Sequence, residues 1–411
     1  MTFAEAISAS GKACAATLSF DAAQAIIAAN AVPLGIERVP LAKAGRRVLA
    51  EPVHAQIDSP RYDAAAMDGF AVRAQDVAAG RRRFRVVGRS YPGEPWAGDL
   101  GLAQAVRIMT GAAMPGGASC VLVREAVAET GDGIEMMQAP PARLHVRARA
   151  SDMAAGDLVL PAQRVLDARA LLVAAAADVG QVAVWRRPRV RMLASGDELI
   201  EPGSARATAD QLPDSLSEAL LLMVRQYGAL PLGATRVPDA GAAIAAAAAT
   251  ALDDCDVLVV TGGASRGDRD FSRLGLAPLG LQLGFADVAI KPGKPAWYGR
   301  IGACHVLGLP GNPTAALTIA RLFLMPLLAA LGGRGFAAGL GWTQAPLLAA
   351  VPETGSRETF LCAEWCDRGV RVIERQSASA QLMLARANAL VRRPTGGPAL
   401  VAGDCVPVLR F

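Results

Sequence analysis

The sequence predicts a multidomain protein that joins a parallel, helix-covered α/β domain to separate β-rich parts. The first observation is length, because 411 residues correspond to two to four domains at roughly 100–200 residues each. The second is composition, since 52% hydrophobic and 19% charged residues allow the chain to bury enough apolar surface to fold throughout. The third is a change of pattern: strands alternate with helices over residues 189–333, whereas short β runs between glycines and prolines fill residues 55–150 and 340–411.

The N-terminal part of the chain begins with a short helix pattern and then changes to strands. Residues 21–31 predict the helix, and extended runs follow at Ile36–Pro40 and Arg47–Val53. Arg83–Val87 and Ala118–Arg124 are strand-like runs between turn residues. They predict a compact β-rich insert.

Residues 189–333 predict a parallel sheet covered by helices. Its elements are, in order, a strand, two helices, a buried strand and a long apolar helix: Val190–Ala194, 214–227, 242–252, Asp256–Val260 and Pro313 to about Leu331. The last part of the chain has short alternating runs at Gly369–Ile373 and Cys405–Leu409. These predict a small β-barrel or sandwich.

Charge, cysteine and histidine content argue against several classes of function. The net charge is +5, without a basic run interleaved with aromatics, which argues against a nucleic-acid partner and is compatible with a small anionic ligand. Seven cysteines, with no C-x-x-C pair, indicate a reducing cytoplasm rather than a disulfide framework or zinc knuckle. Three histidines, never at i, i+4, argue against a histidine metal site. No export signal or membrane span is predicted.

Two acidic residues follow the first strand of the α/β region. Gly196-Asp197-Glu198-Leu199 comes directly after Val190–Ala194, at the sheet edge where ligands of such folds bind. Carboxylates there suit Mg²⁺, which binds one or two carboxylates together with substrate phosphates. A solvated turn explains this short motif equally well.

A glycine-rich segment with hydroxyls, arginines and acids follows the buried strand. Gly262 and Gly263 let backbone N–H groups close on an oxyanion. Asp268 and Asp270 add carboxylates that could hold a metal. The segment matches neither a P-loop nor a dinucleotide fingerprint. So many donors and acids together favour a binding loop over a plain turn.

The long helix follows a Leu-Pro-Gly-Asn-Pro motif at residues 309–313. Asn312 occupies the N-cap position and Pro313 the first turn, and such an N-terminus offers free amides to an anion. Capping alone would also explain these two residues. Upstream, Lys291 and Lys294 lie on a stiff loop where each could bind phosphate, the alternative being solvated surface lysines.

Six motifs in this order resemble the molybdopterin molybdenumtransferase family, which includes MoeA and the gephyrin E domain. The resemblance runs from about residue 20 to residue 411. Two motifs precede the α/β region, where Asp68 and Thr110 beside glycines would singly indicate turns. Each motif alone is weak, and their common order makes the resemblance specific. The six are Ala66–Phe70, Met109–Ala112, Ser195–Leu199, Thr261–Ser265 with Gly267, Asp268 and Asp270, Ile290–Pro295 and Leu309–Pro313.

The resemblance implies a homodimer of four-domain subunits. The implied domains are an elongated N-terminal domain (1–54 and 151–187), an inserted β-rich domain (55–150), a molybdopterin-binding α/β domain (188–335) and a C-terminal β-barrel (336–411). The active cleft would lie between the third domain of one subunit and the second domain of the other. The implied activity is Mg²⁺-dependent insertion of molybdate into adenylylated molybdopterin with release of AMP. The adenylylating enzyme and recipient molybdoenzymes would be partners.

The resemblance also implies roles for single residues. Glu198, Asp239 and Asp270 would orient Mg²⁺ and the attacking oxygen, because carboxylates can bind the ion or a water. Asp68 and Thr110 would complete the catalytic set from the neighbouring subunit. The residues implied to hold pterin, phosphate or molybdate are Asp152, Gly262, Gly263, Ser265, Asp268, Lys291, Lys294, Pro310, Gly311, Asn312, Pro313, Arg357 and Ser379.

Several positions depart from the family pattern. Ala64 and Ala65 replace a usual Asn-Ser, Leu216 replaces an asparagine, and Asp287 stands where lysine is frequent. These losses of polar groups leave a second interpretation open, a non-catalytic carrier or scaffold that delivers the cofactor to a molybdoenzyme. Tight ligand binding without AMP release would distinguish the carrier from the enzyme.

Overall fold

The computed structural model describes residues 17–141, 143–262, 271–377 and 379–411. The chain divides into two compact units. The middle unit consists of Arg38–Val184, and the terminal unit combines Met1–Glu37 with Trp185–Phe411. The four domains implied by the resemblance are a finer division and remain a prediction.

The described residues contain the following regular elements in chain order. The α-helices are α1 Phe20–Asn30, α2 Ala74–Ala78, α3 Ala168–Ala176, α4 Ser217–Gln226, α5 Gly241–Leu252, α6 Phe271–Leu276, α7 Pro313–Ile319 and α8 Met325–Leu331. The strands are β1 Ile36–Pro40, β2 Val53–His54, β3 Ala64–Ala65, β4 Gly69–Val72, β5 Arg83–Ser90, β6 Gln104–Ile108, β7 Cys120–Val123, β8 Val127–Thr130, β9 Gly133–Met136, β10 Val146–Arg147, β11 Leu158–Leu160, β12 Gln181–Trp185, β13 Arg189–Ser195, β14 Leu199–Ile200, β15 Leu212–Pro213, β16 Leu230–Val237, β17 Val257–Thr261, β18 Gln282–Ala286, β19 Ile290–Lys291, β20 Trp297–Ile301, β21 Cys304–Leu309, β22 Thr343–Pro346, β23 Glu358–Cys366, β24 Gly369–Val372, β25 Ala389–Arg393 and β26 Cys405–Arg410.

The middle unit is built around a sheet of the order β7-β4-β6-β5-β9-β8. β5 and β6 run parallel, and the other neighbouring pairs run antiparallel. The strands predicted at Arg83–Val87 and Ala118–Arg124 lie at β5 and β7. The run predicted at Arg47–Val53 differs, because it forms isolated bridges at Val48 and Leu49 before it joins β2. Proline at position 52, which cannot donate to a ladder, accounts for the interruption.

The α/β part of the terminal unit contains a sheet of the order β16-β13-β17-β21-β20-β18. β16, β13, β17 and β21 are parallel neighbours, whereas β20 is antiparallel to both β21 and β18. The sheet is therefore mixed: the prediction of a parallel sheet is correct for β16, β13, β17 and β21 and wrong for β20 and β18. The reason is local: only Gly302 and Ala303 separate β20 from β21, and a two-residue connection can make a hairpin but not a parallel crossover.

Helices bury this sheet on both faces. Val257, Leu258, Val259 and Val260 are all fully buried, as is typical of strands covered on two sides. α1, α4, α7 and α8 pack against one face, and α5 and α6 pack against the other. The helices and strands predicted in this region thus form three layers, with the sheet between two layers of helices. This packing holds the ends of the strands in place.

The helix predicted from Pro313 to about Leu331 is continuous but changes its winding. α7 leads into a π-helical segment, Ala320–Leu324, which continues as α8. Pro326 lacks the N–H that a regular turn would use, which favours such a local change in hydrogen bonding. By length and composition the stretch could cross a membrane, but 94% of its most apolar window is buried inside the protein. It is therefore packed as a core helix.

The C-terminal strands form a second sheet of the terminal unit, in the order β19-β23-β25-β26-β22 with β24 on β23. Leu347, directly after β22, forms an isolated bridge with Val370 on β24. The arrangement is a curled half-barrel, and the predicted β-barrel is not confirmed. β19 belongs to the loop before β20 and pairs with β23, so it connects the C-terminal sheet to the α/β part.

Gly308 on β21 has no room for a side chain. A Cβ built there would lie 1.9 Å from Nε1 of Trp297, its fully buried partner on β20. We expect Gly308→Ala to lower the free energy of unfolding by about 1–3 kcal/mol, the usual cost of overpacking a core. The measurement is the urea midpoint followed by circular dichroism.

Gly35→Ala is the matched control, since a Cβ at Gly35 meets nothing within 4 Å. Its urea midpoint should equal that of the wild type. Equal midpoints for the two variants would contradict the packing argument.

Candidate functional site

A cavity of about 790 Å³ lies at the carboxyl edge of the parallel strands. This volume is in the usual range for small-molecule sites. Ligand-binding residues lie at this edge because the loops that follow parallel strands all begin at the same edge of the sheet. The residues that follow β16, β13, β17 and β21 are Asp239, Glu198, Gly262 and Pro310, in that order. The other predicted site residues that line the cavity are Lys294, Gly311, Asn312, Pro313 and Ser379.

Hydrogen bonds between two loops hold the carboxylate of Asp239. The Ser195 hydroxyl, buried at the end of β13, donates to Asp239 Oδ1. The backbone N–H of Asp239 in turn donates to Asp197 Oδ1 over 3.1 Å. Glu198, the next residue along that loop, is exposed to the cavity. Sequence reasoning found both acids but missed that Ser195 and Asp197 orient one of them.

Asp214 is a further cavity residue that sequence reasoning did not assign. Its buried carboxylate accepts hydrogen bonds from the N–H of Leu216, at 3.3 Å, and from the N–H and hydroxyl of Ser217, at 3.1 and 2.6 Å. Arg236 Nη1 lies 3.6 Å from it. Asp214 therefore fixes the start of α4 beside the cavity, a role that its position two residues before Leu216 could have suggested.

Glycine is required at position 262. Its φ is +80°, and a Cβ there would lie 2.1 Å from the carbonyl oxygen of Ser195. A Cβ at Gly311 would be 3.6 Å from the Cα of Gly262, so the loops after β17 and β21 run side by side. The remaining predicted members of this glycine-rich loop, Gly263, Ser265, Asp268 and Asp270, lie outside the described residues.

The long helix begins at the edge of the cavity. Asn312 occupies the N-cap position as predicted, and Pro313 begins the helix. The Asn312 side chain makes no capping hydrogen bond. Capping alone therefore does not account for this asparagine, which lines both this cavity and a smaller one next to it.

A second cavity, of about 310 Å³, adjoins the first and is lined by cations. Lys291, Lys294 and Arg357 all contribute to it, and Lys294 also lines the larger cavity. The pairing of β19 with β23 brings Lys291 opposite Thr359, beside Arg357. The Ser379 hydroxyl lies 3.0 Å from that of Ser377, which lines this second cavity.

The middle unit holds the other predicted residues. Asp68 Oδ1 accepts hydrogen bonds from the backbone N–H and the hydroxyl of Thr110, at 2.8 and 2.7 Å. Both bonds lower the pKa of the Asp68 carboxyl below its usual 3.8. The bond from the N–H has the larger effect and the bond from the hydroxyl the smaller one. Asp152 is exposed, and its N–H donates to the Ser59 carbonyl over 2.9 Å.

The larger cavity carries an excess of negative charge. Its described lining includes Glu198, Asp214, Asp239 and Asp287 against Lys294. An anionic ligand in such a site needs a cation beside it. Over the described ranges, which omit Asp270, no group of three or more His, Cys, Asp or Glu could hold a metal. The two described carboxylates of the predicted set, Glu198 and Asp239, are oxygen donors of the kind that Mg²⁺ prefers.

Comparisons with known proteins agree with this arrangement. The family model "MoeA N-terminal region (domain I and II)" matches residues 18–179, and "Probable molybdopterin binding domain" matches residues 191–330. A molybdopterin molybdenumtransferase from a Nostoc species is 33% identical over 91% of this chain and 88% of its own length. Its counterpart in Synechococcus elongatus is 33% identical over 95% and 99%. A solved MoeA molybdopterin biosynthesis protein from Pyrococcus horikoshii has a TM-score of 0.80 and 29% identity, covering 96% of this chain and 99% of its own.

The strand-edge cavity on a mixed α/β fold thus defines a MoeA-type protein of molybdenum cofactor biosynthesis. The chain belongs to the molybdopterin molybdenumtransferase family.

The Asp68 carboxyl should titrate differently when the Thr110 hydroxyl is removed. In Thr110→Val the backbone N–H still donates but the hydroxyl does not, so the pKa of Asp68 should rise part of the way back toward 3.8. The sign follows because both bonds favour the charged form. Any stability that these bonds contribute is present above 3.8 and is lost as pH falls through the lowered pKa. The measurement is a carboxyl-carbon NMR titration.

Thr130→Val, at an exposed threonine on β8, is the control and should leave the titration of Asp68 unchanged. An Asp68 titration in Thr110→Val that overlays the wild-type curve would refute the assignment of the hydroxyl.

Proposed function

We propose that this transferase of molybdenum cofactor biosynthesis inserts molybdate into adenylylated molybdopterin in a Mg²⁺-dependent reaction that releases AMP. The observation that carries the proposal is the pair of adjoining cavities. One is large and acidic, and the other is small and lined by Lys291, Lys294 and Arg357.

The two cavities suit two substrates of different size. The larger one, about 790 Å³, has room for a pterin joined to a nucleotide. The smaller one, about 310 Å³, places lysine and arginine donors around a space suited to a tetrahedral dianion such as molybdate. Because Lys294, Pro310 and Asn312 line both, the dianion would lie next to the bound pterin.

Mg²⁺ would be held by Glu198 and Asp239, with Asp270 as the third predicted carboxylate. Bound there, the ion would neutralise phosphate charge and polarise the bond to the leaving adenylate. The chain's own groups do the positioning. Ser195 holds the carboxylate of Asp239, a residue that lines the cavity, and this carboxylate would orient the attacking oxygen and accept its proton. The amides around Gly262 and Asn312 would bind phosphate oxygens.

Substrate binding is proposed for the remaining predicted residues. Lys291, Arg357 and Ser379 would hold the oxygens of molybdate or phosphate, because they supply ionic and hydroxyl donors. Asp68, fixed by Thr110, would reach the cleft from the partner subunit of a homodimer, together with Asp152. We also propose a cytoplasmic location, in which the cysteines of the described residues, all free, would stay reduced. An adenylylating enzyme and recipient molybdoenzymes would be the partners.

A cofactor carrier is the second candidate. It is favoured by Asp287, which places one more carboxylate in the larger cavity where a lysine would help to hold phosphate. A carrier would bind adenylylated molybdopterin and release no AMP. The experiments below separate the two candidates because AMP is the measured product.

Loss of a cavity carboxylate should reduce the reaction. With adenylylated molybdopterin, Mg²⁺ and molybdate supplied, we expect Glu198→Gln and Asp239→Asn each to lower the rate of AMP release by about a hundredfold or more, the usual effect of removing a group that positions the reacting atoms. AMP is measured by chromatography, with pterin-bound molybdenum measured in parallel.

Glu218→Gln is the charge-matched control, because Glu218 lies on the exposed side of α4, outside both cavities. It should retain the wild-type rate. Wild-type rates in the two cavity variants would contradict the assignment, and a wild-type protein that binds substrate without releasing AMP would favour the carrier.

Mixing of inactive variants should test whether two subunits share one cleft. Glu198→Gln and Asp68→Asn lie in different units, so in a shared-cleft homodimer a mixed dimer keeps one intact cleft. Refolding or co-expressing the two should restore about a quarter of wild-type activity, since random pairing makes half of the dimers mixed.

The control pair is Glu198→Gln with Asp239→Asn. Both substitutions lie in the terminal unit, so every cleft of a mixed dimer is damaged and no activity should return. Equal recovery in the two pairs, or a monomer in sedimentation, would overturn the shared cleft.

A further inference from the structure

A third cavity in the terminal unit, of about 290 Å³, carries positive charge and lies apart from the site described above. Arg321, Arg334 and Arg410 line it, and its described lining contains no acidic residue. None of the described residues of the candidate site contributes to it. α4 runs between the two places, because Leu216 before its start faces the larger cavity and Tyr227 after its end faces this one.

Arg321 forms the buried wall of this cavity and is only 4% exposed. Its guanidinium donates to the carbonyl oxygens of Arg410, Gly339 and Leu340, at 2.5, 2.8 and 2.9 Å. These acceptors take three of its five N–H donors. Because they are neutral carbonyl groups, they do not offset its positive charge. Burial of a charge without an opposite charge is costly, and accordingly burial lowers the pKa of Arg321. A bound anion would supply the missing charge.

Two aromatic rings hold the arginines in place around the cavity. The guanidinium of Arg321 lies 5.2 Å from the ring centre of Tyr227, and that of Arg410 lies 4.4 Å from that of Trp365. Arg334 is exposed at the mouth and makes no ion pair among the described residues. Stacking on a ring fixes the plane of a guanidinium while leaving its edge donors available. The arrangement is thus preorganised for an oxyanion.

The backbone at Arg321 is also locally widened, in the turn before Pro326. Arg321 lies in the π-helical segment Ala320–Leu324, and such local widening of a helix is frequent at functional sites. The widened turn carries the one charged residue of the helical stretch Pro313–Leu331.

From these observations we propose that the third cavity binds a small tetrahedral dianion of the phosphate class, as free phosphate or as a phosphate monoester. Arginine forks are suited to such oxyanions because they donate two hydrogen bonds in one plane. The volume of about 290 Å³ admits the phosphate group together with a small organic substituent.

Calorimetric titration of the full-length protein with inorganic phosphate tests the proposal. Because the cavity lined by Lys291 and Lys294 should also attract anions, the background for all samples is Lys291→Gln with Lys294→Gln. Addition of Arg334→Gln and Arg410→Gln to this background should weaken phosphate binding at least about tenfold, since two charged hydrogen-bond donors are lost. Both arginines lie at the cavity mouth or on the surface, so the fold should persist, and circular dichroism verifies it.

Arg225→Gln in the same background is the matched control. It removes one exposed positive charge near the end of α4, outside the cavity, and should leave phosphate affinity unchanged. Equal affinity with and without the two cavity arginines would overturn the proposal, as would an equal loss in Arg225→Gln. A parallel titration with glycerol phosphate shows whether the ligand is a phosphate monoester or free phosphate. If glycerol phosphate binds more tightly than phosphate, and this binding is lost in the arginine variant, the site is assigned to a monoester. If it binds more weakly than phosphate, the site is assigned to the free ion.

Discussion

The parallel register of β16, β13, β17 and β21 is the constraint on which the candidate site depends. It places Ala194 opposite Thr261, and Thr261 opposite Leu309, so that the loops after these strands leave the sheet at one level. Residues far apart in sequence then reach one cavity without long side chains. The backbone contact of Gly262 with Ser195 shows how closely the loops approach. The helices on both faces matter because they hold this register, not because they supply many site residues.

The two adjoining cavities differ in charge, so one is suited to a cation and the other to an oxyanion. Carboxylates dominate the larger cavity, with Glu198 and Asp239 at its strand edge, and cations dominate the smaller one through Lys291 and Arg357. A cation would be attracted to the first and an oxyanion to the second. This separation is built from two sheets, because β19 carries Lys291 out of the α/β part to pair with β23. The curled C-terminal sheet is thereby part of the site rather than a separate appendage.

Sequence patterns predicted the elements of this architecture better than its contacts. The strands around Val190–Ala194 and Asp256–Val260 were found because buried parallel strands are continuous apolar runs, and each observed bound differs by one residue. β16 escaped notice since most of its residues are exposed or half-buried. The hydrogen bond from Ser195 to Asp239 spans 44 positions, and no local pattern encodes a contact between two loops. At Asn312 the sequence predicts the N-cap position correctly. It does not predict that the Asn312 side chain makes no capping hydrogen bond.

Hydroxyl groups position three of the acids on which the interpretation depends. Ser195 donates to Asp239, Ser217 to Asp214 and Thr110 to Asp68. A hydroxyl donor fixes the direction of a carboxylate without adding charge to the site. Asp214 also has Arg236 Nη1 3.6 Å from its carboxylate. The three carboxylates are therefore held in fixed orientations by groups on their own side of the chain. Because each pair lies within its own unit, the orientation of these acids does not depend on contact between the units.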